Sequence, residues 1–205
     1  MNSKVIDIIP ENPDQRCIDL AVNGLRNGGI LCYPTDTVYG LGASIKNKRA
    51  IEQISKIKRI ANNKLLSFIC KDLKDISYYA HVSNQAYKIM RRCLPGPFTF
   101  ILPATSETPK LLSQKRRTVG IRIPDSKLCH LLVDQLETPI LSTSVPAGPD
   151  ELLNDPFEIE RRIGDKIDLI LNGGILVSEP STVVDLTDYE PVIIREGAGE
   201  LGLIY

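Results

Sequence analysis

Within five residues, Thr35, Asp36, Thr37 and Tyr39 set two hydroxyls, a carboxylate and a phenol directly after the apolar run Gly29-Ile30-Leu31-Cys32-Tyr33. Pro34 stops that run, and Gly40 and Gly42 close the segment. Proline cannot extend a strand ladder, whereas glycine tolerates positive φ or lets the backbone approach a ligand. Polar groups crowded beside a strand end are where open α/β sheets bind small molecules. Read in isolation, the segment is also an ordinary strand-to-loop exit whose Thr and Asp side chains bond their own backbone.

Five more polar clusters repeat the pattern. Lys56, Lys58, Arg59 and Lys64 fall at and just after the end of a helical stretch. Thr118 and Arg122 stand four apart on one strand and so share a face. The others are Leu141-Ser142-Thr143-Ser144, Pro180-Ser181-Thr182-Val183-Val184-Asp185 and Arg195-Glu196-Gly197-Ala198-Gly199. Any one of them serves as a cap or turn, but six in one chain call for partners that a bound ligand supplies. The usual catalytic signatures are missing. His81 and His130 lie in helical segments with no motif around them, and there is no phosphate-binding lysine loop, no Gly-x-Gly-x-x-Gly and no nucleophile elbow. Chemistry here would rest on positioning and electrostatics from hydroxyls, backbone amides, Lys and Arg.

The elements that must position these groups alternate along the chain. Asn12 is expected to cap a first helix with Pro13 at its first position, and Cys17, Ile18, Ala21, Val22 and Leu25 recur at helical spacing until Asn27-Gly28-Gly29. Helices are expected at 47–59, 71–80, 84–93, 126–136 and 155–163, and strands at 30–33, 65–70, 98–102, 118–123, 139–143, 168–171, 183–184 and 192–194. This mixture lacks a strict βαβ period. It predicts an α/β fold: one domain over residues 1–205 built on a twisted open mixed sheet with helices on its faces.

The chain has 205 residues, of which 42% are hydrophobic and 24% charged, as in a globular domain with a real core. No run matches a membrane span and the N-terminus lacks a signal-peptide core, so a cytoplasmic protein with no membrane partner is expected. Five scattered cysteines form no Cys-x-x-Cys pair and suggest neither a disulfide framework nor a zinc site. Zero net charge hides a division: residues 45–125 hold 17 Lys and Arg against 5 Asp and Glu, whereas 126–205 hold 5 against 15. A basic middle segment suits nucleotide phosphates or an RNA backbone, or simply faces the acidic third of the chain.

Gly-Gly-x-x-x-Tyr-Pro-Thr-Asp-Thr-Val-Tyr-Gly-Leu-Gly, Pro95-Gly96-Pro97-Phe98-Thr99, Val119-Gly120-Ile121-Arg122-Ile123-Pro124, Ser142-Thr143-Ser144, Ser181-Thr182-Val183-Val184-Asp185 and Ile194-Arg195-Glu196-Gly197 occur in this order. Together, over roughly residues 15–199, they resemble the YrdC–YciO family of threonylcarbamoyl-adenylate synthases and their relatives. The resemblance implies the YrdC-like fold and a concave positive surface that binds ATP, L-threonine and double-stranded RNA. It also implies a nucleotidyltransferase-type reaction in which L-threonine, bicarbonate and ATP give threonylcarbamoyl-AMP and pyrophosphate, on the way to threonylcarbamoyladenosine in tRNA. Carried over by position, Thr35, Arg122 and Ser181 would hold threonine, with Thr37 and Tyr39 lining that pocket. Lys58, Thr118, Ser144 and Arg195 would contact the nucleotide, and Lys58 would be the catalytic group. Mg²⁺ would arrive on the ATP, with no tightly bound cofactor and no protein metal site. Apart from the resemblance, the basic middle segment would meet RNA through Lys56, Lys58, Arg59, Lys64, Arg91, Arg92, Lys110, Lys115, Arg116 and Arg117.

Three positions depart from the family pattern. The synthases carry Lys-x-Arg, Ser-x-Asn and a histidine near threonine, where this chain has Lys58-Arg59-Ile60, Ser144-Val145-Pro146 and Ile69. Losing an arginine and an amide from a transition-state shell costs several kcal/mol. These changes resemble the YciO-like branch. They leave open adenylate synthesis, an RNA-binding module that makes no adenylate, and a hydrolytic or regulatory relative acting on the threonylcarbamoyl group.

Overall fold

The computed structural model describes residues 4–60, 66–109, 117–148, 151–177 and 179–205, with the backbone alone at 58–60 and 148. Its strands are β1 (Lys4–Asp7), β2 (Leu31–Tyr33), β3 (Gly40–Ser44), β4 (Ser67–Ile69), β5 (Phe98–Pro103), β6 (Thr118–Arg122), β7 (Ile140–Ser144), β8 (Pro146–Gly148), β9 (Glu151–Leu152), β10 (Leu169–Asn172), β11 (Thr182–Asp185) and β12 (Val192–Arg195). The helices are α1 (Gln15–Arg26), α2 (Lys48–Ile60), α3 (Leu73–Tyr79), α4 (Asn84–Cys93), α5 (Lys127–Leu136) and α6 (Pro156–Ile163). Ten strands form one open mixed sheet in the order β1-β10-β2-β3-β7-β4-β6-β5-β11-β12, and β8 pairs with β9 apart from it. The expected α/β architecture, a twisted mixed sheet carrying helices, is what the chain adopts.

Two apolar clusters show how the faces are used. On one face, Leu41, Phe68, Phe100, Ile121, Leu141 and Val184 pack with Ile51, Ile54, Met90 and Ile159 from α2, α4 and α6. On the other, Leu31, Tyr33, Ile69, Ile140 and Leu171 pack with Ile18, Val22 and Leu25 of α1 and Leu128, Leu132 and Val133 of α5. Strand register extends this second face beyond those two helices. Ser142 pairs with Ser67, Ser67 with Gly120, Ile69 with Arg122, Val183 with Thr99 and Val183 with Arg195. Because alternate residues share a face, Ser67, Thr99, Arg122, Ser142, Ser144, Val183 and Arg195 all point to the side that α1 and α5 cover only in part.

Most elements lie within a few residues of where periodicity sets them, and three differences have physical causes. Helix α1 starts at Gln15, because the Asp14 carboxylate accepts the Arg16 amide at 2.7 Å and so provides the cap. Asn12 therefore precedes the helix, and its own amide donates to Ile9 O. His81 lies beyond α3, its amide bonded to Pro103 O. The Gly-Leu-Gly-Ala-Ser segment is a central strand, β3, although glycine weakens strands elsewhere. Its glycines leave room for Tyr33: a Cβ at Gly42 would lie 2.8 Å from both the Tyr33 ring and Ile140 Cγ2, and one at Gly40 3.3 Å from that ring.

No helix among the described residues is long and apolar enough to cross a membrane. Overpacking a well-filled core costs about 1–3 kcal/mol. Gly42→Ala should lose stability in that range in urea titration, and an unchanged midpoint would show that β3 can spread to admit the methyl.

Candidate active site

A buried ion pair organises the site. Arg122 sits at the end of β6 and is 7% exposed. Its Nη2 donates to Asp36 Oδ1 at 2.5 Å and to Thr37 Oγ1 at 2.7 Å. The second Asp36 oxygen accepts the Asp125 amide at 3.0 Å, which ties the β2–β3 connection to the start of α5. Thr35 stiffens the same connection: its hydroxyl donates to Val38 O at 2.7 Å and accepts the Thr37 amide at 3.2 Å. Tyr33 pairs with Gly40 at one end of the strands while Arg122 belongs to the row of Ile69 near the other. The 34–39 segment therefore doubles back across the open face to reach Arg122.

A second guanidinium meets the first. Arg195 at the end of β12 donates through Nε and Nη2 to Ser181 O at 3.1 and 2.7 Å, and through Nη2 to Ser181 Oγ at 3.3 Å. Burial, and then the nearby Arg122 charge, pulls the Arg195 guanidinium below its ordinary value. The Ser181 and Thr99 hydroxyls lie 2.8 Å apart. Thr182 fastens the segment after Arg195 to β11, accepting the Gly197 and Gly199 amides at 3.1 and 2.9 Å and donating to Gly199 O at 2.8 Å. Gly197 has to be glycine, since a Cβ there would stand 2.1 Å from Pro180 O.

Thr35, Val38, Tyr39 and Gly40 from the folded-back segment line one pocket together with Ser67, Thr99, Arg122, Ser142, Thr143, Ser144, Pro180, Ser181, Val183 and Arg195. Tyr39 bridges the chain leaving β10, donating to Gly174 O at 2.8 Å and accepting the Gly173 amide at 3.0 Å. Burial pushes its phenol up to about 12, so it is no base near neutrality. Two guanidiniums face a pocket whose neighbouring carboxylate, Asp36, is already engaged, and Arg122 Nε is buried without a partner among the described residues. Such a cavity favours an anionic guest that completes these hydrogen bonds. His, Lys, Asp, Glu and Cys do not occur among the described lining residues, so the groups present hold, orient and polarise a ligand. No cluster of three or more His, Cys, Asp or Glu side chains among the described residues is placed to hold a metal.

Thr35, Tyr39, Arg122, Ser144, Ser181 and Arg195 thus meet in one hollow on a sheet face, rather than standing at separate strand ends. Thr37 sits behind Arg122 as its hydroxyl partner. Thr118 pairs with Pro103 on β6, outside the lining set. The Lys58 and Arg59 side chains, and Lys64, Lys110, Lys115 and Arg116, lie outside the described residues. Lys56, Arg91, Arg92 and Arg117 are exposed, and Arg92 also donates to Ile204 O at 3.0 Å, which fastens the C-terminal turn. The site assignments carried over by resemblance omit Asp36, Thr99 and Ser142. Their signal is present in the same quoted motifs, but their partners depend on strand register. Ile69, where the synthases have histidine, packs against α1 and α5 residues, and Pro146 opens the β8–β9 hairpin.

Removing one member of a buried ion pair costs about 3–5 kcal/mol. Chemical denaturation of Asp36→Ala should register that loss. A change below about 0.5 kcal/mol, as at an ordinary surface site, would show that Arg122 is sustained without Asp36.

A family model named for Sua5, YciO and YrdC, and described as telomere recombination, matches residues 23–197. The uncharacterized protein YciO of Escherichia coli (strain K12) is 42% identical over 97% of this chain and 98% of its own. A crystal structure of E. coli YciO superposes with a TM-score of 0.93, covering 99% of this chain and 100% of that one at 41% identity. A putative threonylcarbamoyl-AMP synthase of Methanocaldococcus jannaschii is 32% identical over 96% of this chain and 94% of its own. The Sua5 of Pyrococcus abyssi, solved in complex with L-threonine, superposes with a TM-score of 0.87 at 28% identity over 95% of this chain and 58% of that one. Sheet order, ordered motifs and these likenesses agree: the chain belongs to the Sua5/YciO/YrdC family.

Proposed function

We propose that the pocket binds L-threonine and the threonylcarbamoyl group built on it, and that the protein acts in the threonylcarbamoyladenosine modification of tRNA. The observation that carries this reading is the surplus positive charge of Arg122 and Arg195 beside a hydroxyl-lined wall. An amino-acid carboxylate neutralises that charge and satisfies a guanidinium donor. The Thr35, Thr99 and Ser181 hydroxyls offer partners for the remaining polar atoms. Two relatives support the same ligand class, one solved with L-threonine and one named a putative threonylcarbamoyl-AMP synthase.

Adenylate synthesis from L-threonine, bicarbonate and ATP with Mg²⁺ would use Ser144 and Arg195 on the nucleotide and Lys58 on its phosphates. With Ile60 and Pro146 in place of an arginine and an asparagine, two donors to the phosphates are gone, and the rate should fall by orders of magnitude. Binding of the threonyl group is therefore the stronger property and synthesis the weaker one. A structured RNA such as tRNA would be the acceptor. The basic middle segment favours its contact, with Lys56, Arg91 and Arg117 exposed.

Calorimetry with L-threonine should show binding that Arg122→Ala weakens at least about tenfold, as expected for a charge-assisted contact. No heat at millimolar threonine would overturn the reading. Pyrophosphate release from threonine, bicarbonate and ATP should be slow in the wild type and slower in Lys58→Ala. Equal rates in the two proteins would remove adenylate synthesis while leaving threonyl binding in place. In a salt titration, tRNA affinity should fall steeply with log salt, with a slope of about −0.7 to −0.9 per phosphate contacted. A flat dependence would remove the RNA contact.

A further inference from the structure

We propose that a second hollow, between α3 and α4, takes an unpaired RNA base stacked on Tyr87, with the flanking phosphates on Lys74, Lys88 and Arg91. The inference rests on the RNA contact named above and gives that contact a place. The hollow measures about 580 Å³, within the range of sites that enclose a small molecule. Leu73, Leu94, Pro95 and Ile123 make its apolar wall, and Tyr87 borders it, 45% exposed. None of its lining residues belongs to the pocket of Arg122 and Arg195.

Core packing does not account for Tyr87. Helix α4 buries Ala86, Ile89, Met90 and Cys93, and the tyrosine ring stands outside that set. Its hydroxyl has no partner among the described residues. An open aromatic ring beside apolar carbons is a platform on which any base can stack, since every base has a π-face. Unpaired loop bases, free of their own helix, are the ones that reach such platforms.

The charges around the hollow suit the phosphates on either side of that base. Helix α4 carries Lys88, Arg91 and Arg92 and no acid. Tyr87, Arg91 and Leu94 follow at helical spacing and share one side, which sets Arg91 beside the hollow. Lys74 lines it from α3. Lys74, Lys88 and Arg91 are exposed and make no ion pair among the described residues. The nearby carboxylates are engaged or face elsewhere. Asp72 caps α3 by accepting the Asp75 amide, and Lys71 pairs with Asp134. Asp75, Asp134 and Glu137 border a neighbouring hollow towards α5. A protein partner would have to pair or desolvate three cations, whereas phosphates meet them at an open rim and release counterions.

The hollow also lies where an RNA bound at the pocket would pass. Ile123 directly follows Arg122 and packs on the sheet face of α2, α4 and α6. Pocket and hollow therefore flank the same end of β6 from opposite faces. A loop of RNA rounding that end would touch both.

The test is fluorescence anisotropy with two labelled RNAs of equal charge, a hairpin with an open loop and a blunt duplex. Tyr87 and Arg91 are exposed, so replacing either removes no core side chain. Tyr87→Ala should weaken the hairpin at least about fivefold, the lower worth of one base–aromatic stack. It should leave the duplex, and L-threonine binding, as in the wild type. Tyr87→Phe keeps the ring and should bind the hairpin as the wild type does. Arg91→Ala should weaken the hairpin and reduce its salt slope by about 0.7, one single-strand phosphate contact. If Tyr87→Ala leaves hairpin affinity unchanged, or weakens hairpin and duplex alike, this inference alone is overturned; the unchanged affinity would assign the hollow to a peptide instead. A wild type that binds neither RNA overturns it together with the proposed RNA contact, and leaves threonine binding standing.

Discussion

The pairing of Arg122 with Asp36 is the contact on which the rest of the architecture turns. Both side chains are 9% exposed, and a charge at that depth is tolerated only when paired and hydrogen-bonded. Asp36 supplies that partner and also holds the Asp125 amide. One carboxylate thus folds the 34–39 segment over the sheet and fixes it to the strand-to-helix exit after β6. Thr37 uses the other proton of the same guanidinium nitrogen. Arg122 Nε is left buried with no partner among the described residues, and Arg195 adds a second cation nearby. The interior has been given more positive charge than it neutralises.

That imbalance is affordable because of how the sheet is covered. Helices α2, α4 and α6 pack one face with large aliphatic and aromatic side chains, whereas α1 and α5 cover only part of the other. The bare part carries Ser67, Thr99, Gly120, Ser142 and Ser144, small residues that leave depth without a greasy floor. Bulkier side chains would fill the hollow, and apolar ones would desolvate the two cations with nothing in return. A rigid sheet face lined by oriented hydroxyls and guanidiniums is preorganised to stabilise charge on a ligand. Positioning, more than proton transfer by the protein, is the chemistry such a surface offers.

The sequence carries the helices plainly. Ile18, Ala21, Val22 and Leu25 in α1, and Ala50, Ile51, Ile54 and Ile57 in α2, recur every three or four residues and are all buried. Strands ended by a proline, such as the one before Pro34, are nearly as legible. Strands β1, β3, β8 and β9 are not. Gly-Leu-Gly-Ala-Ser lacks the β-branched and aromatic residues that mark a strand, because its small residues answer to the Tyr33 ring on the neighbouring strand. The pocket divides in the same way. Thr35, Arg122, Ser144, Ser181 and Arg195 stand in motifs that resemblance picks out. Asp36, Thr99, Ser142 and Tyr33 act through partners 82 to 109 residues distant, which only the register of the sheet brings near. Thr118 shows the opposite limit: it shares a strand face with Arg122 yet lies outside the lining set, since a common face does not fix where along it the hollow opens.

A crystal of this protein grown or soaked with L-threonine would show whether the two guanidiniums hold the amino-acid carboxylate. The amino-acid carboxylate should lie within hydrogen-bond distance of Arg122, on the side shared with Arg195 and under the folded-back Thr35 segment. Threonine seated away from both guanidiniums, or a carboxylate turned towards solvent while the pocket holds only its side chain, would contradict it.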